Sequence, residues 1–168
     1  MLIRKIRHED NEAVAGVIRA VMTEFEACGP GYSIEDAEVD RMFESYQDSK
    51  SVFYVLDDDG VVGCGGLGPL AGGEASYCEL KKMYFMPVAR GLGYGRILGE
   101  MLIVDATRIG YEWAYIETLE RMLAARGLYE TLGFQRLNEP MGSTGHHACD
   151  ACYRLKLEPS HHFPELFE

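Results

Sequence analysis

The chain has no run of apolar residues near the 18 or more that a membrane span needs. Its N-terminus, MLIRKIRHEDNEAV, also lacks the apolar core of a signal peptide. No membrane association is expected, and the expected compartment is the cytoplasm. Cysteine is too sparse and too scattered for a disulfide framework. Cys28, Cys64, Cys78, Cys149 and Cys152 are an odd set of five, and three of them stand singly in apolar surroundings. Basic charge is scarce as well: 16 Lys and Arg against 27 Asp and Glu leave a net charge of −11. Nucleic acids and anionic membranes are polyanions, so a chain this acidic is a poor general partner for either. Internal repeats, low-complexity runs and interdomain linkers are missing too. What remains is a 168-residue chain, 47% hydrophobic and 26% charged, with the composition of one globular domain. A chain of this length buries about 70% of its unfolded surface without a disulfide or metal staple.

The apolar spacing divides the chain into alternating elements. Residues 2–7 alternate apolar and basic, as in a strand. Val14, Val17, Ile18, Val21 and Phe25 recur at helical steps after Asp10, and Cys28-Gly29-Pro30-Gly31-Tyr32 ends that helix. Ser33 and Asp36 have the spacing of a capping box, which predicts a second helix to about Tyr46. Val52 to Leu56 and Val61 to Leu67 read as a hairpin about Asp57-Asp58-Asp59-Gly60. A strong strand runs from Tyr77 to Met86 and stops at Pro87. A long helix follows from about Gly95 to Gly110, then a strand over Trp113 to Glu117 and a helix from about Met122 to Leu132, with Gly133 as its C-cap. Phe134 to Leu137 and Cys152 to Leu157 are the last two strands. The order predicts one α+β domain over 1–158, followed by an acidic tail at 159–168.

The segment between the strong strand and the long helix carries the clearest chemistry. Arg90-Gly91-Leu92-Gly93-Tyr94-Gly95-Arg96 places three glycines at a helix start. The unpaired N–H groups there and the helix dipole attract phosphate, and Arg90 and Arg96 flank the loop with charge. This predicts a pyrophosphate site. The G-x-G-x-G spacing departs from the dinucleotide-binding fingerprint, and the loop follows an antiparallel hairpin where a Rossmann unit would not place it.

Cys78-Glu79-Leu80-Lys81-Lys82-Met83-Tyr84-Phe85-Met86-Pro87 with Arg90-Gly91-Leu92-Gly93-Tyr94-Gly95 resembles motif A of the GNAT superfamily of N-acetyltransferases. Ala125-Arg126-Gly127-Leu128-Tyr129-Glu130-Thr131-Leu132-Gly133-Phe134 resembles motif B. Motif spacing and element order fit the family from Met1 to about Glu158. The resemblance implies a mixed, mostly antiparallel sheet flanked by helices on both faces. It implies acetyl-CoA as acetyl donor, with pyrophosphate on the N–H groups of Gly91 to Arg96 and pantetheine along the backbone near Met83 and Phe85. A backbone N–H near Met83 would meet the oxyanion of the tetrahedral intermediate.

The family's general acid matches Tyr129, a phenol able to protonate the departing thiolate. Glu79 stands where many relatives place the carboxylate that deprotonates the amine. Glu117, on the next strand, is the alternative base or a holder of the acceptor's ammonium. Relatives often carry Asn where this chain has Met122, and Thr118 is the candidate substitute for that cofactor contact.

The loop Gly142 to Cys152 contains His146, His147 and a CxxC. The second ligand pair of a structural zinc site is missing, so no metal is expected. His146 and Tyr32 are the candidate contacts to the acceptor, with His146 or His147 able to hydrogen-bond a substrate carboxylate, while His161 and His162 in the tail read as inert.

The functional expectation is direct acetyl transfer from acetyl-CoA to the primary amine of a small or amino-acid-like molecule. Its rivals are acetylation of a protein lysine or N-terminus and a non-catalytic acyl-CoA sensor. The resemblance also admits a homodimer. Acidity is unevenly spread: residues 1–78 hold 6 basic and 15 acidic residues, residues 79–136 hold 8 and 7, and residues 137–168 hold 2 and 5. An acidic surround at the acceptor end would favour a cationic amine.

Overall fold

Strand-forming and helix-forming segments assemble about a single seven-stranded sheet in the order β1-β2-β3-β4-β5-β7-β6. The computed structural model describes residues 1–158, so the tail expected at 159–168 and its two histidines lie outside the described residues. β1 (Leu2–Lys5), β2 (Val52–Asp57), β3 (Val61–Pro69) and β4 (Tyr77–Phe85) pair antiparallel in turn. β4 then pairs parallel with β5 (Trp113–Thr118), and the crossover between them contains α3 (Tyr94–Ile109). β7 (Ala151–Lys156) lies antiparallel to β5 and carries β6 (Gln135–Leu137) on its outer edge. The sheet is mixed and mostly antiparallel, as the motifs implied.

Both faces are covered. α1 (Asn11–Glu24) lays Val14, Val17, Ile18 and Val21 on Phe53, Val55 and Cys64. On the opposite face, α3 and α4 (Leu123–Thr131) lay Leu98, Leu102, Ile103 and Tyr129 on Tyr54, Leu67, Leu80 and Tyr153. β2 therefore feeds alternate residues into two cores, which is why its sequence is a continuous apolar run.

The second helix differs from expectation. Residues 33–46 form two short 3-10 turns, Ser33–Glu35 and Val39–Arg41, and a single α-turn, α2 (Met42–Ser45). The spacing of Ser33 and Asp36 fits a cap, but Asp36 has extended backbone and its carboxylate is committed elsewhere. A cap whose side chains are taken by distant partners starts no helix.

Two irregularities in β4 create the site. Cys64 pairs with Tyr84 and Gly66 with Lys81, so Lys82 and Met83 together oppose Gly65 in a β-bulge. Lys82 takes φ of 60°, a left-handed conformation rare for a residue with a side chain. Strict alternation would send Lys82 to the α3 face with Leu80. The bulge instead places both Lys81 and Lys82 beside the segment that follows α1. The second irregularity is on the other edge of β4. Its pairing with β5 covers Tyr77, Cys78 and Glu79 and then stops, so beyond Glu79 the two strands part.

Candidate active site

A groove and a cavity meet in the split between β4 and β5. The groove takes in about 870 Å³, counting space open to solvent, and is lined by Met83, Phe85, Arg90, Gly91, Gly93, Tyr94, Gly95 and Leu128, among others. The cavity takes in about 530 Å³, counting space open to solvent, and reaches Glu79, Lys82, Glu117, Thr118, His146 and Cys149. Met83, Tyr84, Met122, Ala125 and Tyr129 line both.

The groove is built largely from backbone. From Leu80 to Phe85, β4 pairs only with β3, which leaves its other edge facing the groove. Gly93 caps α3 with φ of 86°, a conformation that would strain any residue with a Cβ. Gly95 answers a different need, because a Cβ there would stand 3.3 Å from Leu128 of α4. The first amides of α3 have no partner one turn earlier, as at any helix start. Two amides near the loop are already used: Arg90 N–H donates to Pro87 and Arg96 N–H to Gly93.

The two flanking arginines are also engaged. Arg90 makes a bidentate pair with Glu24 at the end of α1, both N–O distances being 2.6 Å, and donates to the Phe85 carbonyl. Arg96 donates to Glu100 one turn along α3. Neither Arg96 nor Leu92 lines the groove.

The cavity is built from side-chain charge. Its centre is His146, only 8% exposed, contributed by the segment between β6 and β7. Nε2 lies 2.9 Å from Asp36 Oδ2, and Nδ1 lies 3.3 Å from Glu117 Oε2 and 3.7 Å from Glu79 Oε1. Burial alone would lower the imidazole pKa; the three carboxylates reverse that and raise it to about 11. That shift favours the imidazolium form of the ring. Both its nitrogens face carboxylates of the protein. Burial pulls the Asp36 carboxyl upward, but His146 and Lys82 hold it below the ordinary range.

Glu117 is held more firmly than Glu79. It accepts from Tyr115 Oη at 2.7 Å and from Thr144 Oγ1 at 2.8 Å. These bonds and His146 outweigh burial and keep its carboxyl below the ordinary range. Glu79, 3% exposed, has His146 as its one charged partner among the described residues. Lys82, with a fully buried side chain, contacts Asp36, the Ser33 carbonyl and Glu38. Glu79, Glu117 and His146 each offer an atom within 4.8 Å of the others, a spacing a cation could span. When protonated, the ring is itself a cation of the cluster and has no lone pair to donate.

Tyr129 stands where cavity and groove join. It is buried, packs at a tilt of nearly 60° against Phe134 (58°) and Tyr153 (59°), and has no hydrogen-bond partner for its hydroxyl among the described residues. Burial pushes its pKa well up, so it remains a phenol through the neutral range. Burial likewise pushes the Cys149 thiol up to about 12. Thr118 points its hydroxyl at the Met122 sulfur, 3.7 Å away.

Tyr32 is not among the cavity-lining residues and packs instead with the core beneath α1. Its neighbour Ser33 does line the cavity and hydrogen-bonds Tyr84 at 2.5 Å. Sequence reasoning missed Ser33, Asp36, Lys82, Tyr84 and Thr144. The one available signal was the charge of Lys82 within an otherwise buried strand.

Residues 18–134 match the model of the acetyltransferase (GNAT) family. An uncharacterized N-acetyltransferase of Escherichia coli K12, YjgM, is 37% identical over 151 residues, which cover 89% of this chain and 90% of the relative. Among solved structures, a GNAT-family acetyltransferase from Staphylococcus aureus Mu50 superposes with a TM-score of 0.81 at 18% identity. That match covers 94% of this chain and 99% of the other. The putative acetyltransferase yncA from Salmonella typhimurium, solved with acetyl-CoA, gives a TM-score of 0.73 at 22% identity over 99% of both chains. The fold, the motifs and these likenesses agree: the chain belongs to the GNAT family and is an N-acetyltransferase.

Proposed function

We propose that this acetyltransferase moves the acetyl group of acetyl-CoA directly to the primary amine of a small molecule. The observation that carries the reading is the junction of two dissimilar spaces at Tyr129. On one side is a groove edged by unpaired backbone, suited to pantetheine and pyrophosphate. On the other is a cavity of buried carboxylates, suited to an ammonium ion. A relative of the same fold holds acetyl-CoA.

In this reading the thioester lies at the junction, with Met83 and Phe85 beside the pantetheine arm and Gly91, Gly93, Tyr94 and Gly95 about the pyrophosphate. Glu79 takes a proton from the acceptor's ammonium, and Glu117 holds the amine. The amine nitrogen forms a bond to the acetyl carbon while a backbone N–H near Met83 receives the developing oxyanion. The C–S bond then breaks, Tyr129 gives its proton to the leaving sulfur, and the nitrogen's second proton restores the Tyr129 phenol. The products are an acetamide and free CoA. Transfer without an acetyl-enzyme fits Cys149, the one cysteine lining the cavity, whose thiol is held neutral and hence weakly nucleophilic.

A small acceptor is favoured over a protein by the segment joining β6 to β7. Ser143 N–H donates to Ala71, Thr144 to Glu117, Ala148 N–H to Gly31, and His146 reaches Asp36. These ties draw the segment over the split, where a protein lysine would need an open groove.

Thiol release from acetyl-CoA across a panel of small amines, lysine peptides and N-terminal peptides tests the reading. Turnover with small amines and little with peptides is expected. Preferential turnover of peptides would transfer the reading to protein acetylation, and CoA binding without turnover on any amine would favour a sensor.

A further inference from the structure

We propose that His146 is a positioning residue for the acetyl transfer: its ring bridges Asp36, Glu79 and Glu117 and keeps the two carboxylates of the β4–β5 split ionised and aimed into the cavity. The proposal rests on the reading that the acceptor amine docks at those carboxylates.

The argument begins with placement. Asp36 comes from the segment after α1, Glu79 from β4, Glu117 from β5 and His146 from the β6–β7 segment. No two of these are near in sequence, and all three carboxylates lie within 3.7 Å of the one ring. Two nearly buried carboxylates this close share a proton unless a cation stands between them. The groups around the ring are few. The segment after α1 supplies Asp36 and Glu38, and β4 supplies Glu79, Lys81, Lys82 and Tyr84. Tyr115 and Glu117 come from β5, Tyr129 from α4, and Thr144 and Cys149 from the ring's own segment. The other cations are directed elsewhere: Lys81 meets Glu38, and Lys82 meets Asp36 and Glu38.

The two carboxylates depend on the ring unequally. Glu117 also accepts hydrogen bonds from Tyr115 and Thr144. Glu79 has no comparable support among the described residues, so loss of the ring falls chiefly on the residue that receives the amine proton. A base that is no longer aimed at the amine cannot serve.

Two spectroscopic measurements test this without any acceptor. The first records the ring nitrogens of uniformly ¹⁵N-labelled wild-type protein at pH 8.5, with His146 assigned by the signal lost in His146→Gln. Both nitrogens protonated is the expected result; a neutral ring overturns the proposal. The second follows the side-chain carboxyls of ¹³C-glutamate-labelled protein, assigned with Glu79→Gln and Glu117→Gln. In folded His146→Gln the Glu117 carboxyl, which the ring helps hold down in wild type, should titrate at least one pH unit higher, a tenfold change in its protonation constant. Unmoved carboxyl titrations in a folded variant also overturn the proposal, since a merely structural histidine would leave them so. If the variant does not fold, the assignment passes to Asp36→Asn difference spectra and the wild-type ring state decides alone. Thiol release on the amine panel fails or succeeds separately, so the two readings fall independently.

Discussion

The cofactor side and the acceptor side of this molecule solve binding in different currencies. The cofactor side is a strand, a glycine turn and a helix, and it offers the backbone edge of β4 and the amides that open α3. Its arginines sit near the surface in pairs with Glu24 and Glu100. The acceptor side is assembled from irregular segments after α1 and before β7, and it offers Asp36, Glu79, Glu117, Lys82 and His146, largely out of water. Backbone groups survive most substitutions around them. A buried ion cluster does not, because removal of one member leaves the others uncompensated. Substitutions at the acceptor side should therefore cost activity and stability steeply, and those at the cofactor rim should adjust affinity.

The largest effect is expected where the two sides meet. Glu79→Gln removes the proposed proton acceptor but keeps the side-chain volume, and kcat should fall by about 10² or more at saturating acetyl-CoA. Tyr129→Phe removes only the proton donor, and kcat should fall about tenfold or more with little change in CoA affinity. Steady-state thiol release with a turned-over amine gives kcat, and calorimetric titration with CoA gives the affinity. Near-normal kcat in both variants would mean that the chemistry does not run through this junction.

The same contrast governs what could be read before any coordinates. The cofactor side was legible because its determinants are local: an apolar stripe marks α3, and Gly93 and Gly95 sit within the turn they make possible. The acceptor side was partly legible. Glu79, Glu117 and His146 stood out as residue types in suggestive segments, but their convergence is a long-range fact. Ser33 and Asp36 have a local meaning as a helix cap, and the fold overrides it by giving Ser33 to Tyr84 and Asp36 to His146 and Lys82. Lys82 was illegible because a bulge shifts the face on which it emerges, and alternation alone assigns it to the wrong core. Arg90 was read by its charge, which says nothing of a carboxylate sixty-six residues earlier in the chain.

A second prediction sharpens the contrast through pH. The His146 pKa is raised to about 11, above its unfolded value. Its contribution to stability is thus fully present below about pH 6.5 and is lost as pH rises toward 11. Wild type should melt higher than His146→Gln by about 5 °C at pH 6, and the gap should shrink steadily by pH 10. Differential scanning calorimetry of both proteins across that range measures it. A constant gap would show that the ring gains nothing from its charge. On the cofactor side the matched variant, Arg96→Gln, takes an exposed guanidinium from the nearly buried Glu100, and the melting temperature should fall slightly and by the same amount across that pH range.

The smallest effect concerns the rim, where the charge balance is subtlest. Arg90 can reach a diphosphate only by leaving Glu24, whose carboxylate it grips at both oxygens and which it holds below the ordinary carboxylate range. The ion pair and the cofactor therefore compete for one guanidinium. Exposed pairs of this kind are weak, so the competition is weak too. Glu24→Gln should tighten CoA binding by about threefold at low ionic strength, and the gain should fade with added salt as the attraction to diphosphate is screened. Arg90→Gln should weaken binding by more than Glu24→Gln strengthens it, because it removes the cation itself. Calorimetric titration with CoA at two salt concentrations separates the cases. Weaker binding in Glu24→Gln would show that the carboxylate aims the arginine at the cofactor. Unchanged binding would show that Arg90 stays on Glu24 and serves to tie the end of α1 to the rim of the groove.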